Sequence, residues 1–329
     1  MKKNNNYFFV SRFRIQAIAE SNIRIPGFKG FSLRDCFQQA LSLYSGCPDT
    51  FAVDACQRCR KSGKCLYQSF FRASVPEDNP TARAFKQNPP AAFAFDPLDL
   101  SKSNYEQGDS FVFDILLFGN TVKYIKKLVD VFRLMGETGI GSRSSAFGQR
   151  GLFSIESVVN IGIHDQKNIL DADNKIIPQF KPSLISLNSF SDESAFNHQI
   201  VLNFIHPLTI ISKNKLLFNE LNFNDIKSSL INRIVLLSNF YCNKSFQDVN
   251  SFFQSYQSSE GEITSAKLHL HTYRYSSSRQ KKIIRYKALR GQIFLKNISL
   301  NDFKLLKLGE HIFIGRNTSS GFGKYILEK

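Results

Sequence analysis

Four cysteines crowd into one short stretch, CPDTFAVDACQRCRKSGKC, as Cys47, Cys56, Cys59 and Cys65. Thiolates with two residues between them, as at Cys56 and Cys59, sit on a tight turn and point the same way, so they can chelate one ion. Cys47 and Cys65 flank the pair closely enough to complete a tetrahedron. A site filled by four thiolates leaves no position for a reacting water, so the reading is a structural zinc ion with a folding role. The spacing is not that of a regular double CxxC. Free or redox-active thiols and an iron–sulfur cluster remain as alternatives. Cys36 and Cys242 read as buried thiols.

The proton-transfer candidates are few. The six histidines are His164, His198, His206, His269, His271 and His311, and none precedes residue 160. His206 ends an apolar run before Pro207. His269 and His271 alternate on one face of an expected strand. An imidazole titrates near neutrality and can give or take a proton at a phosphate. Each is as readily a structural or surface side chain. Lys29, Arg34 and Tyr44 are further candidates for proton transfer or phosphate contact.

Cations are abundant. Lys and Arg number 43 against 27 Asp and Glu, a net charge of +16. Such a balance suits a polyanionic partner, nucleic acid before an anionic membrane surface. The stretch KLHLHTYRYSSSRQKKIIRYKALR (267–290) holds Lys267, Arg274, Arg279, Lys281, Lys282, Arg285, Lys287 and Arg290 and no acidic residue. Tyr273, Tyr275 and Tyr286 interleave with them. Cations neutralise phosphates and aromatics stack on unpaired bases, so the stretch reads as an RNA or DNA surface; a merely solvated charged face is the alternative.

One unusual loop occurs twice: GIGSRSSAFGQ (139–149) and FIGRNTSSGFGK (313–324). Glycines let backbone N–H groups converge on an anion, and Arg143, Arg316 and Lys324 lie in or beside these loops.

The elements that must position these groups follow from periodicity. Residues 7–20 read as a strand, 32–44 as a helix capped by Ser32, 110–118 as a strand, 122–134 as an amphipathic helix and 152–159 as a strand. Residues 75–97, rich in Pro and Ala, read as loop. After a polar linker near 165–191 the grammar repeats: strand 198–205, helix 224–241, strands 263–275 and 291–298, helix 300–306, glycine loop, strand 325–327. The expected fold is α+β, two tandem ferredoxin-like βαββαβ domains. The first spans 1–165 with the cysteine insert at about 45–70, and the second 193–329. The loop recurs because the last helix-to-strand connection recurs. No apolar stretch reaches the ~20 residues of a membrane span, and the N-terminus does not read as a signal peptide, so a cytoplasmic location is expected.

Together these features resemble a known family. The segments RYSSSRQ (274–280), ALRGQIFL (288–295) and IGRNTSSGFGKYIL (314–327) stand in the order found in CRISPR-associated repeat-processing endoribonucleases. These form the Cas-six family of the repeat-associated RNA-binding superfamily. FIHPLTI (204–210), GFKGFSLRDCFQQAL (27–41) and the cysteine cluster ending CLYQSFF are similar to further family segments. The resemblance implies binding and metal-independent cleavage of CRISPR repeat RNA. In that chemistry the ribose 2′-OH attacks the adjacent phosphate and leaves a 2′,3′-cyclic phosphate. It also implies retention of the product with other effector subunits. Many relatives carry a catalytic histidine on or near the first helix, and this chain has none there. His206 and His271 are then the catalytic candidates, and Arg143, Arg274, Arg279, Lys281, Lys282, Arg285, Arg316 and Lys324 the RNA contacts. A non-catalytic RNA-binding subunit, and a zinc-stabilised interaction module without an RNA role, are the competing readings.

Overall fold

The computed structural model describes residues 7–25, 27–47, 56, 59, 64–73, 89–143, 148–190, 198–212, 215–218, 220–254, 256, 261–277 and 282–328. In chain order its strands are β1 (Val10–Ala19), β2 (Ile23–Arg24), β3 (Phe93–Asp96), β4 (Asn104–Tyr105), β5 (Ser110–Phe118), β6 (Phe153–Ile161), β7 (Gln166–Asn168), β8 (Ile200–Leu208), β9 (Ile211–Ser212), β10 (Lys215–Leu216), β11 (Glu262–Ser277), β12 (Lys282–Lys296) and β13 (Ile326–Glu328). The helices are α1 (Lys29–Tyr44), α2 (Leu66–Phe71), α3 (Ile125–Thr138), α4 (Phe223–Tyr241), α5 (Phe246–Gln254) and α6 (Leu300–Gly309).

Each half builds one main antiparallel sheet beside a two-stranded ribbon, β2-β4 in the first half and β9-β10 in the second. The first runs β3-β5-β1-β6-β7 and the second β11-β12-β8-β13. Counted within each half, the four main strands stand in the order second, third, first, fourth. With a helix after the first and third strands, that is the strand order of a βαββαβ unit.

Local chemistry accounts for the helices. In α3 the buried Ile125, Leu128, Val129, Phe132 and Met135 recur at helical spacing. Gly139, at φ 76°, follows the last turn in a conformation that glycine reaches freely. In α4, Asn222 accepts from the Asp225 amide while Asp225 accepts in return from the Asn222 amide, so two orphan donors are satisfied. In α1, Phe28 rather than Ser32 stands at the cap, and the helix begins at Lys29. Gly30 lies against the second glycine loop: a Cβ there would come 1.7 Å from the Ser320 carbonyl oxygen.

Several segments depart from expectation, three of them with consequences for the site. β3 lies inside the presumed loop. Its four residues FAFD are all buried, so it lacks the alternation that marks a half-exposed strand. The basic stretch is not one strand followed by connector. It folds back on itself, β11 pairing with β12 from Glu262 opposite Lys296 to Ser277 opposite Lys282. The helix α5 was not expected. Among the described residues no helix is long and apolar enough to cross a membrane.

Candidate nucleic-acid interface

The two halves meet along α1. Its N-terminal turn packs Phe28 and Phe31 against Phe322 of the second glycine loop and against the hairpin tyrosines. Phe31 stacks on Tyr275 at 4.8 Å and on Tyr286 at 5.0 Å, and Phe28 meets Phe322 edge-on at 5.1 Å. Buried aromatic pairs of this kind add to the area they remove from water.

Beside this cluster opens a cavity of about 680 Å³. Its walls are Gly27, Phe28, Phe31, Ser32 and Asp35 from the α1 region, Gly141, Ser142, Arg143 and Arg150 from the first glycine loop, and Thr272–Tyr275 and Ile283 from the hairpin. Three guanidinium groups, Arg143, Arg150 and Arg274, thus line one cleft together with aromatic side chains. Arg143 and Arg274 are exposed. Such a lining fits phosphodiester oxygens with a base laid on an aromatic face. Arg143 and Arg150 also line an adjoining pocket of about 490 Å³ behind α1. Across the wall the Tyr275 phenol donates to the Asp35 carboxylate. Burial pushes that carboxyl above its ordinary range, against the pull of the Tyr275 hydrogen bond, Arg34 and Arg150.

A second constellation is buried under the cleft. Asp96 of β3 is ion-paired with Lys324 and lies 3.2 Å from the Arg12 guanidinium. Arg12 and Arg14 share Asp114, Arg14 at 3.0 Å. Burial opposes the charge on Asp96, but Lys324 and Arg12 outweigh it and hold the carboxyl below its ordinary range. His206 lies in the same place. Its Nδ1 is 2.9 Å from the Gly321 carbonyl oxygen and its Nε2 is 3.7 Å from Asp96. Desolvation lowers it to about 4, so the ring is neutral at pH 7.

A family model described as an N-terminal domain matches residues 8–182, and the model of the CRISPR-associated endoribonuclease Cas6 matches residues 202–325. Residues 202–325 of this chain belong to the Cas6 family. Thermus thermophilus Cas6 is similar in fold at a TM-score of 0.50 and 11% identity, over 98% of this chain and 99% of that one. A Cas6 product complex is similar at 0.51 and 12% identity, over 97% and 100%. A chain of a partial Cas6-RT-Cas1–Cas2 complex is similar at 0.53 and 10% identity, over 98% of this chain but only 46% of that one. No curated protein sequence matches the chain.

Within this chain the anticipated residues divide into two groups. Arg143 and Arg274 reach the cleft. His271, Lys282 and Arg285 are exposed on the hairpin, and Arg316 is exposed on the second glycine loop. Arg279 and Lys281 fall outside the described residues. His206 is 1% exposed and Lys324 is 9% exposed, both inside the joint between the halves rather than on a surface. The second glycine loop is itself part of that joint, with Thr318, Ser320, Phe322 and Lys324 buried. Lys29 is buried as well, its ammonium 2.6 Å from the Tyr105 hydroxyl, while Arg34 donates to Ser319 at 3.2 Å. Tyr44 lies at the far end of α1.

Among the described residues no group of three or more His, Cys, Asp or Glu is placed to hold a metal. The four thiols are nonetheless electrostatic neighbours. Burial, then Cys47, Cys65 and Cys59, push the Cys56 thiol up. Sequence reasoning missed Asp35, Arg150 and Asp96. Arg150 stands two residues after the Phe-Gly of the first loop and was legible there. The two aspartates carry no local signal.

Proposed function

We propose that this chain binds and cuts CRISPR repeat RNA in the cleft between its two halves. The observation that carries the reading is the convergence of Arg143, Arg150 and Arg274, drawn from both halves, on one aromatic-walled cavity in a chain that matches the Cas6 family. The hairpin extends the same surface with exposed Lys282, Arg285 and Lys287. The cleavage is metal-independent: the ribose 2′-OH attacks the adjacent phosphate, the 5′ oxygen leaves, and a 2′,3′-cyclic phosphate remains. The arginines stabilise the charge that grows on the phosphorane. His271, exposed on β11 next to the cavity-lining Thr272, is the histidine nearest that wall in sequence. His206 serves the domain joint. The fold is read as tandem ferredoxin-like domains, with zinc at the cysteine cluster. The likeness to a Cas6-RT-Cas1–Cas2 chain supports association with other Cas proteins.

Incubation with cognate repeat RNA in excess EDTA tests this. One discrete cut with a cyclic-phosphate end is expected. A second reading, a non-catalytic RNA-binding subunit, is favoured by the absence of any histidine on α1. Tight binding without a cut from pH 5 to 9 would establish that reading and refute the first.

A further inference from the structure

We propose that Asp35 and Tyr275 form the proton-transfer pair for RNA cleavage in this cleft. The proposal rests on the endoribonuclease reading above. The two residues come from opposite halves, Asp35 from α1 and Tyr275 from β11, and share a hydrogen bond in the wall of the arginine-lined cavity. Phe31 stacks on the Tyr275 ring and fixes its orientation. The Asp35 side chain is 27% exposed, so it is open to the cavity yet largely out of bulk water. The groups that face it are Arg34 on its own helix at 3.9 Å, Arg150 from the first glycine loop, Tyr275 on β11 and Tyr286 on β12. Burial raises its carboxyl despite both arginines, which makes it a stronger base than a surface aspartate.

The pair balances the reaction without a histidine. The Asp35 carboxylate takes the proton of the 2′-OH as the new P–O2′ bond forms. The P–O5′ bond breaks, and the departing 5′ oxygen takes the Tyr275 phenol proton. The proton on Asp35 then crosses the shared hydrogen bond to the phenolate, and both groups return to their starting states. Arg143, Arg150 and Arg274 neutralise the non-bridging oxygens meanwhile.

The test uses the full chain with end-labelled repeat RNA in EDTA, measuring single-turnover rates from pH 5 to 9 and affinity by filter binding. Asp35→Asn keeps the shape of the side chain, and Tyr275→Phe keeps the Phe31 stack. Each is expected to slow the chemical step at least ~100-fold at saturating RNA, with affinity within about threefold of wild type. The acidic limb of the wild-type rate profile is expected to vanish in Asp35→Asn. Rates within about threefold of wild type for either pair variant, or a loss that saturating RNA restores, would overturn the pair while leaving the function standing. A wild-type protein that binds and never cuts would instead overturn the endoribonuclease reading. If Asp35→Asn does not fold, the Tyr275→Phe rate decides alone.

Discussion

Replacing Lys324 with methionine separates the two roles open to a lysine beside a glycine loop. A lysine that grips RNA would change binding and leave stability alone. The structure puts its ammonium against Asp96 between the halves, with both side chains almost wholly buried. Removing one partner of a buried pair strands the other charge and costs roughly 3–5 kcal/mol. Arg12 still faces Asp96 at 3.2 Å, so the lower end applies. Unfolding entropy is about 2.1 cal/mol/K per residue, so for 329 residues each kcal/mol is worth about 1.4 °C and the expected fall is about 4 °C. The assay is a thermal melt of Lys324→Met beside Arg274→Ala. The apolar pair Asp96→Leu/Lys324→Met is expected to regain part of the loss, because it leaves no stranded charge. Arg274→Ala, exposed at the cleft, should leave Tm unchanged and reduce the salt slope of RNA affinity by about 0.7 for a single strand. A Lys324→Met protein that melts within about 1 °C of wild type and shows the flattened slope would refute the buried-joint assignment.

Two further outcomes are expected. His206 is buried and His311 half-buried, and desolvation lowers the pKa of both, to about 4 and about 3, against an ordinary value of 6.5. The unfolded chain therefore binds more protons below pH 6.5, and stability is present above that value and lost as pH falls toward 4. Tm should drop over that window, and His206→Asn should make the drop shallower; an unchanged slope would remove His206 from the joint. Protein prepared without chelators should carry about one zinc per chain, lost in Cys56→Ser/Cys59→Ser with a fall in Tm; metal-free protein of undiminished Tm would refute the zinc reading.

Much of the architecture was legible because it is written in local periodicity. The strand at β1, the amphipathic α3 and the repeat of one grammar in both halves all follow from spacing of apolar residues. What was not legible depends on burial from both sides. The FAFD strand β3 shows no alternation because neither face meets solvent. Its Asp96 looks like a loop acid until the opposite half supplies Lys324. Asp35 carries no local signal either: its place in the cavity wall and its partner Tyr275, 240 residues away in sequence, come from the fold, and burial rather than Tyr275 raises its carboxyl.

The repeated glycine loop shows where local resemblance stops determining role. Both copies use glycines at positive φ, Gly139 and Gly141 in the first, Gly321 and Gly323 in the second. A side chain at Gly323 would meet the Ile314 carbonyl oxygen at 1.8 Å, and one at Gly141 the Arg24 carbonyl oxygen at 2.2 Å, so each is required by close backbone approach. Yet the flanking residues diverge. The first loop leaves Arg143 exposed at the cleft, while the second is packed beneath α1, whose Gly30 admits Ser320. The sequence of a loop sets its backbone path; the element that packs on it sets whether its cations face phosphate or a buried aspartate. In this chain α1 makes that choice, closing one loop into the joint and leaving the other beside the cleft.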